Sequence, residues 1–360
     1  MAVHRRPAFG GYMTGHDHKL AISCSRDFPR WLASTGHSIA FSTYQAGKLF
    51  ILGLGSDGRL SVSERTFPRS MGIAVSPDGR RIALATEFQL QTFDNVLPPG
   101  ETNAEGYDAL YAPHAGWVTG DLDAHDVAFG ADGRPIFVNT LFGCIAVVSD
   151  DHSFRPLWRP PFLSRLAAED RCHLNGMAVA NGRARFATAV SQSDIADGWR
   201  DKRVGAGIVM DVDSGEIVAS GLSMPHSPRL HDGRLWLTNS AIGQFGYVEL
   251  DTGRFVSVAF CPGYARGLTF IDGQAVVGLS LARENHTFAG LPLAEQLEAR
   301  NADARCGLAV IDLQTGDMVN WVRIEGVVRE LYDVAALPGV RRGALVGFKS
   351  DEVKRVISIE

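Results

Sequence analysis

The sequence predicts an all-β fold, and two patterns support this prediction. Short apolar runs rich in Val, Ile, Phe and Ala alternate with turns such as Pro77-Asp78-Gly79 and His231-Asp232-Gly233. Glycine supplies the positive φ that tight hairpin turns need, so this alternation is typical of antiparallel strands. In addition, a small or acidic residue followed by an apolar-x-apolar triplet recurs about every 52 residues. The recurring starts are Gly72, Asp126, Gly176, Ser227, Gly267 and Asp333.

A repeat of this length matches one four-stranded blade of a β-propeller. The six starts account for the chain beyond residue 70, and apolar runs at residues 38–41 and 48–52 then begin one further, partial blade. We therefore expect seven blades, with six as the alternative. A strand near Leu20 would complete the last blade and close the ring, which leaves no open sheet edge.

The domain organisation follows from this repeat. Residues 1–17 are polar and predict an N-terminal arm, and residues 18–360 predict a single propeller domain. Residues 284–305 interrupt the strand pattern, and the stretch from Leu293 to Arg300 indicates a short helix. We expect this insertion to lie over one face of the propeller, as a lid on the central channel.

Composition excludes several classes of partner. Lys and Arg number 35 against 40 Asp and Glu, a net charge of -5, which argues against nucleic acid and anionic membranes as partners. No apolar run approaches the roughly 20 residues of a membrane-spanning helix. No apolar segment follows Arg5-Arg6, so we do not expect a signal peptide. We therefore expect a cytoplasmic location. The five cysteines include no CxxC pair and predict free thiols.

The repeat also predicts which residues line the central channel. Side chains two positions apart on a strand point to the same face, so two positions per inner strand should face the axis. The position before each start holds Met71, His125, Asn175, His226, Arg266 and Tyr332. The position two residues earlier holds Arg69, Asp123, His173, Met224, Tyr264 and Glu330. Because these residues are largely polar, they predict a functional site at one end of the channel.

Three of these residues predict a metal site. Imidazole is the commonest ligand of zinc, iron and copper, so we expect His125, His173 and His226 to bind one divalent transition metal, Fe, Zn or Cu. His173 should lie one pleat from the other two, and Asn175 could take its place. The alternative is that all three are hydrogen-bonded channel histidines. The stretch Glu284-Asn285-His286 could supply a further ligand.

Other polar residues predict roles in catalysis and substrate binding. Arg266 could clamp a carboxylate or phosphate, and Tyr332 and Glu330 could transfer protons. The alternative is that Arg266 forms a buried ion pair with Asp123 or Glu330. We expect the substrate to be bound by Asn175 and by Tyr44, Gln45 and Lys48, which lie at a strand–turn–strand corner. That corner lacks the GxxxxGK[ST] spacing of a nucleotide-binding loop.

Several stretches resemble a known family. They are residues 42–49, His173-Leu174-Asn175-Gly176, residues 224–229, Arg266-Gly267-Leu268 and Leu331-Tyr332-Asp333-Val334. At these stretches the chain resembles an uncharacterised family of conserved bacterial proteins that are regarded as propeller-like. The resemblance covers most of the chain and implies a shared site or scaffold. It implies no established activity.

These observations predict a metal-dependent hydrolase, lyase or oxygenase with its site in the channel. Its substrate would be a small polar or anionic molecule or a peptide. The first alternative is a metal-free lyase or hydrolase that uses a channel histidine as its base. The second is a non-catalytic propeller that binds a protein partner, since the fold alone does not choose between these functions. The sequence does not predict the oligomeric state.

Overall fold

The structure is a computed structural model that describes residues 20–281 and 290–358. The predicted arm, residues 1–17, and the stretch Glu284-Asn285-His286 lie outside these ranges. Within them the fold is all-β apart from two short α-helices and three 3₁₀ turns.

The first third contains β1 (Ala21–Cys24), α1 (Phe28–Thr35), β2 (His37–Thr43), β3 (Lys48–Leu54), β4 (Leu60–Thr66), β5 (Ile73–Val75), β6 (Arg81–Ala85), β7 (Gln89–Asn95) and β8 (Ala109–Val118). The middle third contains β9 (Ala124–Phe129), β10 (Pro135–Asn139), β11 (Cys144–Val147), β12 (Arg155–Trp158), β13 (Leu174–Ala180), β14 (Arg183–Ala189), β15 (Gly207–Asp211), β16 (Ile217–Leu222) and β17 (Pro225–His231). The last third contains β18 (Arg234–Asn239), β19 (Gln244–Glu249), β20 (Arg254–Phe260), β21 (Tyr264–Ile271), β22 (Gln274–Ser280), α2 (Leu293–Ala299), β23 (Gly307–Asp312), β24 (Met318–Glu325), β25 (Val334–Pro338) and β26 (Gly343–Leu345). The 3₁₀ turns are Arg200–Lys202, Ser240–Ile242 and Asp351–Lys354.

The strands of the described ranges form six sheets, which are the six blades of a propeller. Blades 2, 3 and 4 are the consecutive strands β9–β12, β13–β16 and β17–β20. Blade 1 is β5–β8 with β26 at its outer edge, and blade 5 is β21–β24 with β1 at its outer edge. Blade 6 joins β25 to β2, β3 and β4. The inner strands β5, β9, β13, β17, β21 and β25 each contact the next in a closed circle.

The expectation of seven blades is wrong, and the way the ring closes explains why. The apolar runs at residues 38–41 and 48–52 are β2 and β3, the middle strands of blade 6, whose inner strand β25 comes from the other end of the chain. The strand near Leu20 pairs with β24 and extends blade 5 instead of closing the ring. Near the carboxyl end, β26 adds to blade 1 by pairing in parallel with β8.

The predicted inner strands are confirmed. Each of the six sequence starts lies in, or directly before, a different inner strand, and Val127, Met177 and Leu268 belong to three separate blades of one ring. The predicted helix within residues 284–305 is also confirmed as α2. The repeat therefore located the axis of the fold correctly.

A hydrogen-bond lock joins neighbouring blades at every second junction of the ring: blades 2 and 3, 4 and 5, and 6 and 1. The Asp126 carboxylate accepts the backbone N–H of Met177 in the next blade at 3.0 Å. Asp333 accepts the N–H of Ile73 at 2.9 Å, and the Ser227 hydroxyl accepts that of Gly267, also at 2.9 Å. The six starts of the repeat thus alternate between two kinds of residue. One kind accepts a hydrogen bond with its side chain, and the other is a glycine that lies in close contact with the next blade.

The close contact between Gly176 of blade 3 and Pro228 of blade 4 can be tested by substitution. A Cβ at this position would lie 2.3 Å from Pro228 Cδ and 2.7 Å from Thr188 Oγ1, whereas a Cβ on Gly116 would come no closer than 3.9 Å to any atom. Gly176→Ala is therefore expected to destabilise the fold by about 1–3 kcal/mol through overpacking. Gly116→Ala should change stability by less than about 1 kcal/mol. Urea denaturation of both variants checks this, and equal stabilities would contradict a close contact of Gly176 with Pro228 of the next blade.

The two ends of the channel differ in character. A cavity of about 270 Å³ in the half where the inner strands end is lined by apolar residues of all six inner strands, together with Arg229. The Arg229 guanidinium is already bound by Asp126. The polar residues predicted to form a site lie at the other end, where the inner strands begin.

Candidate functional site

The residues that precede the inner strands adopt a backbone conformation that the sequence did not indicate. Arg69, Asp123, His173 and Met224 have φ of 48°, 51°, 52° and 49°, in the left-handed region that residues other than glycine rarely enter. The expectation that His173 lies one strand pleat beyond His125 is therefore wrong, because a turn replaces the pleat. Such strain is often concentrated at functional sites.

This turn brings His125 and His173 together. Their ring centroids are 4.7 Å apart, with the rings nearly perpendicular. His125 Nδ1 lies 2.8 Å from the Asp123 carbonyl oxygen, to which the neutral ring donates its N–H. Burial, and next the positive charge of Arg266, lowers the pKa of His125 well below its ordinary value. His125 is therefore a neutral imidazole whose Nε2 carries a lone pair.

His226 is held in the same way on blade 4. Its Nδ1 donates to the Met224 carbonyl oxygen at 2.9 Å, and its Nε2 lies 3.3 Å from the amide nitrogen of Asn175. The Asn175 oxygen accepts the Thr188 hydroxyl at 2.8 Å, which fixes the amide as a donor to His226. Burial, followed by Arg266, lowers the pKa of His226 well below its ordinary value. Asn175 thus positions a second neutral imidazole.

His173 has a carboxylate partner that the sequence analysis missed. Its Nδ1 lies 3.1 and 3.0 Å from the two oxygens of Asp170, which also accepts the indole N–H of Trp199 at 2.9 Å. Trp199 stacks on the His173 ring with centroids 4.0 Å apart. All three residues are buried. This arrangement orients His173 so that Nε2 is its proton-accepting atom. The only sequence signal was an aspartate three residues before the histidine.

Arg266 lies against Tyr332 and carries an uncompensated charge. The guanidinium carbon is 3.4 Å from the Tyr332 ring centroid. Among the residues the structure describes, Arg266 has no carboxylate within 4.0 Å, and neither its Nη2 nor the Tyr332 hydroxyl has a hydrogen-bond partner, although both atoms are buried. The alternative that Arg266 pairs with Asp123 or Glu330 is therefore wrong. Burial raises the pKa of Tyr332 well above its ordinary value, so its hydroxyl keeps its proton.

The remaining predicted residues divide into two groups. Tyr44 stacks on Tyr332 at 5.5 Å, and Tyr332 meets the edge of His125 at 5.5 Å, so Tyr44 belongs to the wall of the site. Glu330 accepts the backbone N–H of Gln45 at 3.0 Å, which ties the corner containing Gln45 to this wall. The structure does not bring Lys48 into the group, since its ammonium is held by Glu64 at 2.7 Å.

The metal hypothesis stays a prediction. Within residues 20–281 and 290–358, no group of three or more His, Cys, Asp or Glu side chains is arranged to hold a metal ion. His125 and His173 are adjacent, but His226 is engaged through Asn175. The positive charge of Arg266 disfavours a second positive charge on His125 and His226.

The cysteines are free, as predicted, and do not provide a nucleophile. Cys172 directly precedes His173 but is fully buried. Burial raises the pKa of its thiol far above the ordinary value, so the reactive thiolate is not formed at neutral pH. The site contains bases and hydrogen-bond donors without an activated sulfur.

The inserted segment packs over this end of the channel. Leu291 and Leu293 are buried in one apolar cluster with Trp199, Met224 and Tyr264. Trp199 stacks on His173, and Tyr264 meets the His226 ring edge at 5.7 Å. The described part of the insertion therefore covers residues that contact the site, and its role as a lid stays a prediction. Neither α-helix in the described ranges is long and apolar enough to cross a membrane.

Comparison with known proteins gives a family and a fold. A family model described as Domain of unknown function (DUF4915) matches residues 26–346. No curated protein sequence matches the chain. A crystal structure of a nidogen/laminin complex includes a chain that is 12% identical with a TM-score of 0.52, covering 84% of this chain and 99% of that one. A protein of unknown function from Bacteroides caccae is 11% identical with a TM-score of 0.50, covering 84% and 98%. At these identities the similarity shows the fold alone.

Proposed function

The chain belongs to the family described as Domain of unknown function (DUF4915), and we propose from its channel that it is a metal-free enzyme that moves a proton on a small anionic substrate. The observation that carries the proposal is the buried, unpaired Nη2 of Arg266 beside two neutral imidazoles. A guanidinium with no carboxylate partner among the described residues is suited to hold a carboxylate or phosphate of the substrate.

His173 is the general base of this proposal. Asp170 engages Nδ1 through both carboxylate oxygens, and Trp199 fixes the ring plane from one side. A carboxylate in this position orients an imidazole and stabilises the imidazolium that forms when Nε2 accepts a proton. His125 and His226, whose pKa values are lowered, remain neutral hydrogen-bond partners at the same pH.

Tyr332 complements the base as a hydrogen-bond donor. Its hydroxyl is buried and protonated and donates to no acceptor within the described chain, so it can donate to a substrate oxygen on which negative charge develops. In the proposed step, Nε2 of His173 takes a proton from a substrate C–H or from a water molecule. When the proton leaves a C–H, the electron pair of that bond moves onto the adjacent carbonyl oxygen. When it leaves water, the water oxygen bonds to the carbonyl carbon and the C=O π pair moves onto the carbonyl oxygen. In both cases Tyr332 and Arg266 hold the charge on the substrate oxygen. This step belongs to a lyase or to a hydrolase that acts through water.

Asp170→Asn tests the base. The substitution is expected to lower kcat about 10²-fold or more, because the asparagine amide can hold His173 in the wrong tautomer. The measurement is a pH profile of kcat/KM on a substrate found by screening small carboxylates and phosphates. Asp150→Asn, which changes an exposed aspartate bound to Arg134, is the matched control. Full activity in Asp170→Asn, with the pH profile of the wild type, would contradict the role of His173.

A metal-dependent enzyme is the second candidate, because the rings of His125 and His173 are close enough to share a ligand. Elemental analysis of purified protein separates the two candidates. Our proposal expects far less than one Fe, Zn or Cu per chain, and unchanged turnover after chelation. One metal per chain that is lost in both His125→Ala and His226→Ala would replace the metal-free enzyme with the metal-dependent one.

A further inference from the structure

We propose a second anion-binding site in a cleft beside the channel, which we call the arginine cleft. Three arginines contribute to its lining: Arg305, Arg323 and Arg329. The cleft has a volume of about 390 Å³, and Leu281, Cys306 and Val328 provide apolar lining between the arginines. The ligand chemistry that fits is a phosphate or carboxylate group.

The charges in the cleft are poorly compensated. Arg305 and Arg329 have no acidic side chain within 4.0 Å in the described part of the chain. Arg323 has one contact, with Glu325 at 4.0 Å, and both of these side chains are partly exposed. Three arginines against one glutamate, Glu325, give the lining of the cleft a net positive charge. An anion bound there would offset this charge and accept N–H groups of the arginines in pairs.

The cleft and the channel site share a wall. Leu281 of the cleft donates its backbone N–H to the Arg329 carbonyl oxygen at 2.9 Å. Its neighbour Ser280 accepts the N–H of Leu331 at 3.0 Å and is paired with Tyr264 on the inner strand. Tyr332 of the channel site follows Leu331 directly. Arg329 and Tyr332 are three residues apart, so their Cα atoms are separated by at most about 10 Å.

This proximity extends the proposed function, on which this step rests, to a class of substrate. A molecule with two anionic groups could place one at Arg266 and the other in the arginine cleft. Binding of the remote group would then position the reacting end next to His173. Bisphosphates, dicarboxylates and phosphorylated carboxylates have this chemistry.

The test is a calorimetric titration of the whole protein with inorganic phosphate and, separately, with succinate, at low ionic strength. We expect the wild type to bind two phosphates, because the two sites are distinct. The double variant Arg305→Met/Arg329→Met should lose one of them, with affinity there at least tenfold weaker. The matched control is Arg134→Met/Arg254→Met, which removes the same charge from arginines already paired with Asp150 and Glu249. The succinate titration shows whether the cleft prefers phosphate or carboxylate.

The outcomes separate the cleft from the proposed function. If the cleft variant loses one bound phosphate and Arg266→Met loses the other, both the arginine cleft and the proposed function are supported. Loss only in the cleft variant, with two phosphates bound by Arg266→Met, supports the cleft and contradicts the proposed function. A cleft variant that binds phosphate as the control does overturns the inference, and the arginines are then a solvated basic patch.

Discussion

Replacing Arg229 with methionine is expected to lower the free energy of unfolding by about 3–5 kcal/mol, the cost of breaking a buried ion pair from one side. Arg229 donates to both carboxylate oxygens of Asp126, at 2.8 and 3.0 Å, and lies 3.6 Å from Asp333. Both aspartates are buried and bind backbone N–H groups of the next blade. Without the guanidinium, two carboxylates of the blade lock would face each other with no cation between them.

The loss should depend on pH. Burial raises the pKa of Asp333 to about 7, Arg229 opposes this rise and Asp126 adds to it. The pKa of Asp333 is lower in the unfolded chain, so the folded protein keeps a proton on Asp333 that the unfolded chain releases. The stability that this bound proton contributes is lost as pH rises through about 7. Arg229→Met removes the group that favours ionisation, so the variant should lose more stability at pH 8 than at pH 5.

Urea denaturation at these two pH values measures the effect. Arg254→Met, which removes an exposed arginine paired with Glu249, is the control and should change stability by at most about 1 kcal/mol at either pH. An Arg229→Met variant as stable as this control, or one with the same loss at pH 5 and pH 8, would show that the lock does not depend on the ion pair.

Replacing Arg266 with methionine is expected to weaken phosphate binding in the channel at least tenfold, because the cation of the site is lost. The same change should raise the pKa of His125 and His226. Burial is the first cause of their lowered pKa and Arg266 is the next, so part of the shift should remain. Ring resonances of the two histidines, followed against pH by NMR, report this directly.

Arg234→Met is the matched control for this variant. Arg234 also lies over an aromatic ring, that of Tyr247 at 4.5 Å, but it is paired with His231 at the end of β17, whereas the site lies where the inner strands begin. It should leave phosphate affinity and both histidine pKa values unchanged. If Arg266→Met has the same phosphate affinity and histidine pKa values as Arg234→Met, Arg266 is a packing residue and the proposed anion site is contradicted.

The sequence predicted the axis of the fold because the pattern there is local. Each inner strand carries an apolar-x-apolar triplet after a small or acidic residue, and the first residue of that triplet is buried in every blade. The number of blades could not be predicted from local sequence patterns. It depended on whether β2 and β3 formed a new sheet or completed the one begun by β25, and both choices bury the same apolar side chains.

The site was predicted in part for a similar reason. His125, Asn175, His226, Arg266 and Tyr332 were found because they occupy one position of the repeat. His173 was placed wrongly along the axis because the left-handed φ of 52° has no clear signal in the sequence. Asp170 and Trp199 were missed because neither occupies a position of the repeat. Asp170 is a local partner, three residues before His173, whereas Trp199 reaches His173 only through the fold.

Anion binding at Arg266 is tested most directly by adding phosphate to metal-free wild-type protein while following the ring resonances of His125 and His226. We expect a saturable change and a rise in both pKa values, because a bound anion offsets the positive charge of Arg266. Resonances that do not respond to phosphate but shift with one equivalent of zinc would contradict it, and would identify the channel as a metal site.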